Sequence, residues 1–145
     1  MYIDANLLFS DAQAVTAAAA STNYLDLGLA SRDVGTGEDL YLVCVCDVAM
    51  TDSGSDSTLD VILYGDSTTT FTPDASQTLF QFPAASAAGT TKIAKLDPGS
   101  APLQYRYVEL YYSPNNGNLS TGSFTAFITN NVQKYQSFAD GITIS

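Results

Sequence analysis

The 145-residue sequence contains no histidine and no tryptophan, and its 5 lysines and arginines face 15 aspartates and glutamates. Without histidine the commonest general base is missing, and with it every Ser–His or Cys–His nucleophile. Glu38 and Glu109 are the only glutamates. A glycosidase-like carboxylate pair would have to come from aspartates, and no spacing pairs them. Gly35-Thr36-Gly37 lacks the third glycine, the lysine and the following helix of a phosphate loop. No enzymatic activity and no cofactor are therefore expected. The net charge of −10 repels phosphate backbones and anionic lipid, which excludes nucleic acid and membrane as partners and favours a basic protein surface.

Long apolar runs are also missing. None approaches the ~18 residues that cross a bilayer. The opening Met1-Tyr2-Ile3-Asp4-Ala5-Asn6 has no basic n-region, so synthesis without a Sec signal is expected. Only two cysteines occur, Cys44 and Cys46. On a strand they would share one face about 6.6 Å apart, at a rise of ~3.3 Å per residue, which is poor disulfide geometry. They read as two small buried hydrophobes in a reducing compartment. With no second cysteine pair and no histidine, four zinc ligands cannot be assembled. Asp52-Ser53-Gly54-Ser55-Asp56, with Asp47 and Asp60 nearby, sets carboxylates around a glycine turn as calcium sites do, but it lacks the spacing and terminal glutamate of an EF-hand, so it reads as a hairpin loop, with calcium as the alternative, and no metal is expected. The sequon Asn118-Leu119-Ser120 is idle if no secretory signal precedes it.

Apolar, β-branched and aromatic runs alternate with Gly, Pro, Asn, Asp and Ser clusters, the punctuation of an all-β protein. Charged residues are 14% of the chain and hydrophobic ones 46%, so the polar surface comes from Ser, Thr, Asn and Gln. A chain of this length can bury about 70% of its unfolded surface and needs neither metal nor disulfide to fold. The clearest strands are Leu40–Val48, Thr58–Tyr64, Thr78–Phe82, Lys92–Leu96, Gln104–Tyr112 and Ser123–Thr129. Weaker ones are Ala12–Thr16, Asn23–Leu27 and Gly141–Ile144. Turn signals include Asp33-Val34-Gly35-Thr36-Gly37, Asp97-Pro98-Gly99-Ser100 and Pro114-Asn115-Asn116-Gly117-Asn118. Ala17-Ala18-Ala19-Ala20 is too short for a stable helix and reads as an extended linker or a single turn.

In Thr58–Tyr64, Leu59, Val61 and Leu63 fall on one face, with Asp60, Ile62 and Tyr64 on the other. Gln104–Tyr112 places Tyr105, Tyr107 and Tyr111 opposite Val108, Leu110 and Tyr112. Rings on both sides mark a central strand, or one whose outer face meets a partner. In Ser123–Thr129, Phe127 interrupts the polar side, so that face is also expected to be covered. Eight to nine short strands at this spacing predict a single antiparallel β-sandwich over residues 1–145. The long, uneven connections favour a jelly roll. An N-terminal arm of about residues 1–22 and a C-terminal tail of about residues 131–145 would flank it.

The run Leu8-Phe9-Ser10-Asp11-Ala12-Gln13-Ala14-Val15-Thr16, followed by Ala19-Ala20-Ser21-Thr22-Asn23-Tyr24-Leu25-Asp26-Leu27-Gly28, resembles the opening of the Bbp16-like capsid cement proteins of tailed bacteriophages. The resemblance covers about the first thirty residues and brings no catalytic residue with it. It implies a jelly-roll-like, non-enzymatic decoration protein on the outside of an icosahedral head, bracing capsomers of an HK97-type major capsid protein. Such a protein would be made in the host cytoplasm and would sit on the virion as a homo-oligomer, a dimer or trimer. The expected contacts with capsid or sister subunit are Tyr2, Ile3, Leu7, Leu8 and Phe9 in the arm and Tyr135 and Phe138 in the tail, where large apolar groups near chain ends call for docking. Tyr105, Tyr107 and Tyr111 are further candidates. The alternative reading for both arm and tail is that they add edge strands to their own sandwich. The alternative function is a virion- or cell-surface module that binds carbohydrate or a receptor on a platform of tyrosine rings.

Overall fold

A computed structural model describes residues 7–28, 39–70 and 72–130. Nine strands follow one another: β1 (Leu8–Ala14), β2 (Ala19–Ala20), β3 (Leu25–Asp26), β4 (Leu40–Thr51), β5 (Thr58–Asp66), β6 (Ala75–Phe82), β7 (Thr91–Leu96), β8 (Tyr107–Asn115) and β9 (Thr121–Thr129). A short 3-10 turn, Ala101–Gln104, precedes β8. Among the described residues there is no α-helix.

One sheet has the order β1-β9-β4-β7 and the other β2-β8-β5-β6, with β3 also on β8. Every pairing is antiparallel. Because β2 and β3 lie along the same neighbour, at Ala20↔Tyr111 and Leu25↔Val108, they are two halves of one edge strand. Counted so, strands one, eight, three and six face strands two, seven, four and five, which is the jelly roll.

Alternation decides what goes inside. Leu59, Val61 and Leu63 of β5 are buried, as are Val108, Leu110 and Tyr112 of β8, and all join one core with Leu42, Cys44, Cys46, Phe124, Ala126 and Ile128 from the other sheet. Aromatic rings bridge the layers: Phe124 lies 5.2 Å from Phe82 and 5.8 Å from Tyr112. Phe127 and its cross-strand partner Val43 lie on the opposite side of their strands from this core and are still buried. The interruption of the alternation at Phe127 does mark a covered outer face.

Cys44 and Cys46 share the core face, free and fully buried. Burial pushes both thiols above their ordinary range, and the negative charge of Asp47 adds to it. Thiol reagents should label neither cysteine in the native protein and both in denaturant. Rapid native labelling, read by mass spectrometry, would remove β4 from the core.

Several expected strands shift. β4, β5 and β8 run past their predicted last residues, and β6, β7 and β9 start before their predicted first ones. The strand predicted from Gln104 starts only at Tyr107, because the 3-10 turn and a bend occupy its first residues. The strand predicted at Ala12–Thr16 is displaced to Leu8–Ala14. Part of the alanine run is the edge strand β2, and Asn23–Leu27 contracts to β3. Gly141–Ile144 and the Asp33–Gly37 turn lie outside the described residues.

Candidate docking surface

The first candidate, the N-terminal arm, is largely part of the sandwich. β1 pairs with β9 through Leu8↔Phe127, Ser10↔Ala126 and Gln13↔Phe124. Phe9 is 0% exposed and belongs to the core, and Leu7 packs against it. Phe9 is therefore not a contact residue: its ring is inside, because β1 turns that face toward the opposite sheet. Leu7 and Leu8 are half-buried. Tyr2, Ile3, Tyr135 and Phe138 lie outside the described residues.

The motif's polar residues form a clasp. Tyr112 Oη donates to buried Ser10 Oγ at 2.9 Å, and Ser10 Oγ donates to Gln13 Oε1 at 2.7 Å. Gln13 Oε1 also accepts from Thr22 N, while Gln13 Nε2 donates to the Ala20 carbonyl, both at 2.8 Å. Asn23 donates its backbone N–H to Phe9 O and its side-chain N–H to Leu8 O. Ser21 exchanges two hydrogen bonds with the Leu110 backbone. Buried polar groups that are satisfied in this way fix one register. The motif thus joins β1 of one sheet to the β2–β3 edge of the other.

The second candidate lies on the outer face of the five-stranded sheet. The β5–β8 register sets Ile62 across from Tyr111, Tyr64 across from Glu109 and Asp66 across from Tyr107. Tyr64 and Tyr111, diagonal neighbours, stack at 5.0 Å between centroids and 17° between planes. At the strand's start Tyr24, 47% exposed, meets the Tyr107 ring edge-on at 5.8 Å. Arg106 lies over the same Tyr107 ring at 4.9 Å, and its guanidinium donates to both Asp26 carboxylate oxygens at 2.9 and 3.0 Å. Of the predicted tyrosines, Tyr107 and Tyr111 share this face. Tyr105 does not join them: it sits in the bend before β8, where the 3-10 turn ends.

Between the rings stand two carboxylates that composition alone does not reveal. Glu109 is 7% exposed and Asp66 2%. Burial, and then the negative charge of Asp66, push Glu109 up to about 7. Asp66 Oδ1 accepts from Thr68 N–H at 2.7 Å and from Thr68 Oγ1 at 3.1 Å. Asp66 Oδ2 is buried with no hydrogen-bond partner among the described residues. Glu109 accompanies no basic side chain among the described residues, where the ion pairs are Lys95–Asp39 and Arg106–Asp26. One sequence signal does point here: Glu109 is the lone acid inside a tyrosine-rich strand, and only the β5 register adds Tyr64 and Asp66.

The Asp52–Asp56 loop closes on itself. Asp52 Oδ2 accepts from Gly54, Asp56 and Ser57 backbone N–H groups and from Ser57 Oγ, at 2.9 to 3.4 Å. These bonds outweigh the upward push of desolvation and hold the carboxyl below its ordinary value. Among the described residues no three Cys, Asp or Glu side chains are grouped to hold a metal.

A family model described as Bbp16 matches residues 9–128, from within β1 to within β9. No curated protein matches.

Proposed function

The chain belongs to the Bbp16 family, and from that membership we propose that it is a non-enzymatic capsid cement protein of a tailed bacteriophage, bound to the outside of the head across neighbouring capsomers. The observation that carries the reading is the extent of the match. It takes in nearly the whole jelly roll, so what the family resemblance implies applies to the folded unit and not to a motif alone. The partner is the major capsid protein of HK97-type fold, and the acting form is a homo-oligomer on the virion.

Mass action supplies the mechanism. A protein that binds the assembled lattice and not the free subunit stabilises the lattice by its own binding free energy, and repetition over many sites multiplies the effect. A net charge of −10 would speed and orient encounter with a basic surface, while buried aromatic contacts would supply most of the affinity.

The test is to mix the purified protein with expanded heads assembled without it, then to sediment and image them. Saturable co-sedimentation with one density per equivalent lattice position is the expected result. Heads that stay bare at micromolar protein would overturn the reading.

A further inference from the structure

We infer that the outer face of the five-stranded sheet is the docking surface, and that Glu109 seats an arginine or lysine side chain of the partner protein against the Tyr64–Tyr111 stack. The inference takes the partner's identity, but not the site's chemistry, from the cement reading. Three observations converge on it.

The first is a precedent on the same face. Arg106 already occupies a seat built from a carboxylate, Asp26, and a tyrosine ring, Tyr107. One step along β8 the same components recur, Glu109 with the rings of Tyr64 and Tyr111, and among the described residues no cation fills them. A guanidinium suits such a seat because it pairs with a carboxylate in its plane and stacks on a ring by its face.

The second is the carboxylate behind. Asp66 is only 2% exposed, and its Oδ2 lacks a hydrogen-bond partner among the described residues. A buried unpaired carboxylate oxygen is costly, and Asp66 bears electrostatically on Glu109. A cation arriving at Glu109 is attracted by both charges and offsets their repulsion. The third is overall charge: at −10 the chain draws a basic surface toward itself.

Two arms test it. In the first, the purified chain is titrated with N-acetyl-arginine amide and followed by NMR, alongside Glu109→Gln and a control, Asp11→Asn, which removes one exposed charge elsewhere. Saturable shifts centred on Tyr64 and Val108–Tyr112 are expected, at least fivefold weaker in Glu109→Gln and unchanged in Asp11→Asn. Equal binding by Glu109→Gln, or shifts scattered over the surface, would overturn the inference. Glu109→Gln is nearly isosteric and removes a charge that burial disfavours, so its melting temperature should be no lower than wild type. The second arm repeats head co-sedimentation with Glu109→Gln and with Tyr64→Ala/Tyr111→Ala. At least a tenfold loss of affinity is expected for each. Unchanged decoration by both variants would sink the inference and leave the cement reading standing. Wild-type protein that ignores the heads would sink the cement reading, and the arginine titration would then decide the inference by itself.

Discussion

Replacing Phe9 with alanine should cost about 3–5 kcal/mol of folding free energy, the range for a large aromatic removed from a well-packed core. Phe9 is fully buried among the residues that join the two sheets. For a domain of this size that corresponds to a fall in melting temperature of roughly 10 °C or more. Deleting Met1–Phe9 should do more harm. It also removes the Leu8↔Phe127 pairing and two acceptors for Asn23, the Leu8 and Phe9 carbonyls. The truncated chain is therefore expected to lose cooperative unfolding, measured in urea by circular dichroism, and not merely to lose its partner. A truncation that melts within about 2 °C of wild type would restore the arm as a separable docking element.

Gly65→Ala should be strongly damaging for a single added methyl. A Cβ at Gly65 would stand 2.3 Å from the Pro102 carbonyl oxygen and 2.8 Å from its Cα. Both are backbone atoms of the 3-10 turn, so no rotamer change relieves the clash, and the turn or β5 must shift. Overpacking of this kind typically costs 1–3 kcal/mol and occasionally more; about 3 kcal/mol or more is expected because the obstruction is backbone. The same change at Gly89 is the opposite case, a backbone-conformation cost without a clash. There a Cβ meets nothing within 4 Å, and only the φ of +89° is unfavourable, worth about 1–2 kcal/mol. Denaturant midpoints for the two variants should therefore differ clearly. Equal midpoints would mean that the turn yields freely.

The alternation that names strands is also what made the interior readable. Period two alone groups Leu59, Val61 and Leu63 on one face of their strand and Val108, Leu110 and Tyr112 on one face of theirs, and the structure buries all six. Cys44 and Cys46 followed from the same spacing. β1 was harder for a physical reason. Its ladder slips between Ser10 and Gln13, where Ala12 takes a φ of +45° and donates its N–H to Thr125 Oγ1. A bulge of this kind resets the period, and the strand's buried polar residue, Ser10, breaks the apolar pattern. β2 is two alanines, too little for any pattern. The Glu109 site was out of reach because Tyr64 and Asp66 enter it through register with a strand some forty residues later, and no local signal encodes that pairing.

The nested pairing of the strands carries a kinetic consequence. β1 has β9 as its ladder partner, with Leu8 opposite Phe127, and the β2–β3 edge waits for β8. The first of the described strands therefore remains unzipped until the last of them has been synthesised. Closing loops of that size precedes any reward from the contacts they make, so chains dominated by such pairings fold in milliseconds to seconds, not microseconds. The β5–β6 hairpin pairs consecutive strands and can form early, whereas β1 can only be laid down against a β9 already in place. During that interval Phe9 and the inner edge of β9 are open to strands of neighbouring chains. The chain is thus most exposed to misassembly while it is still being made.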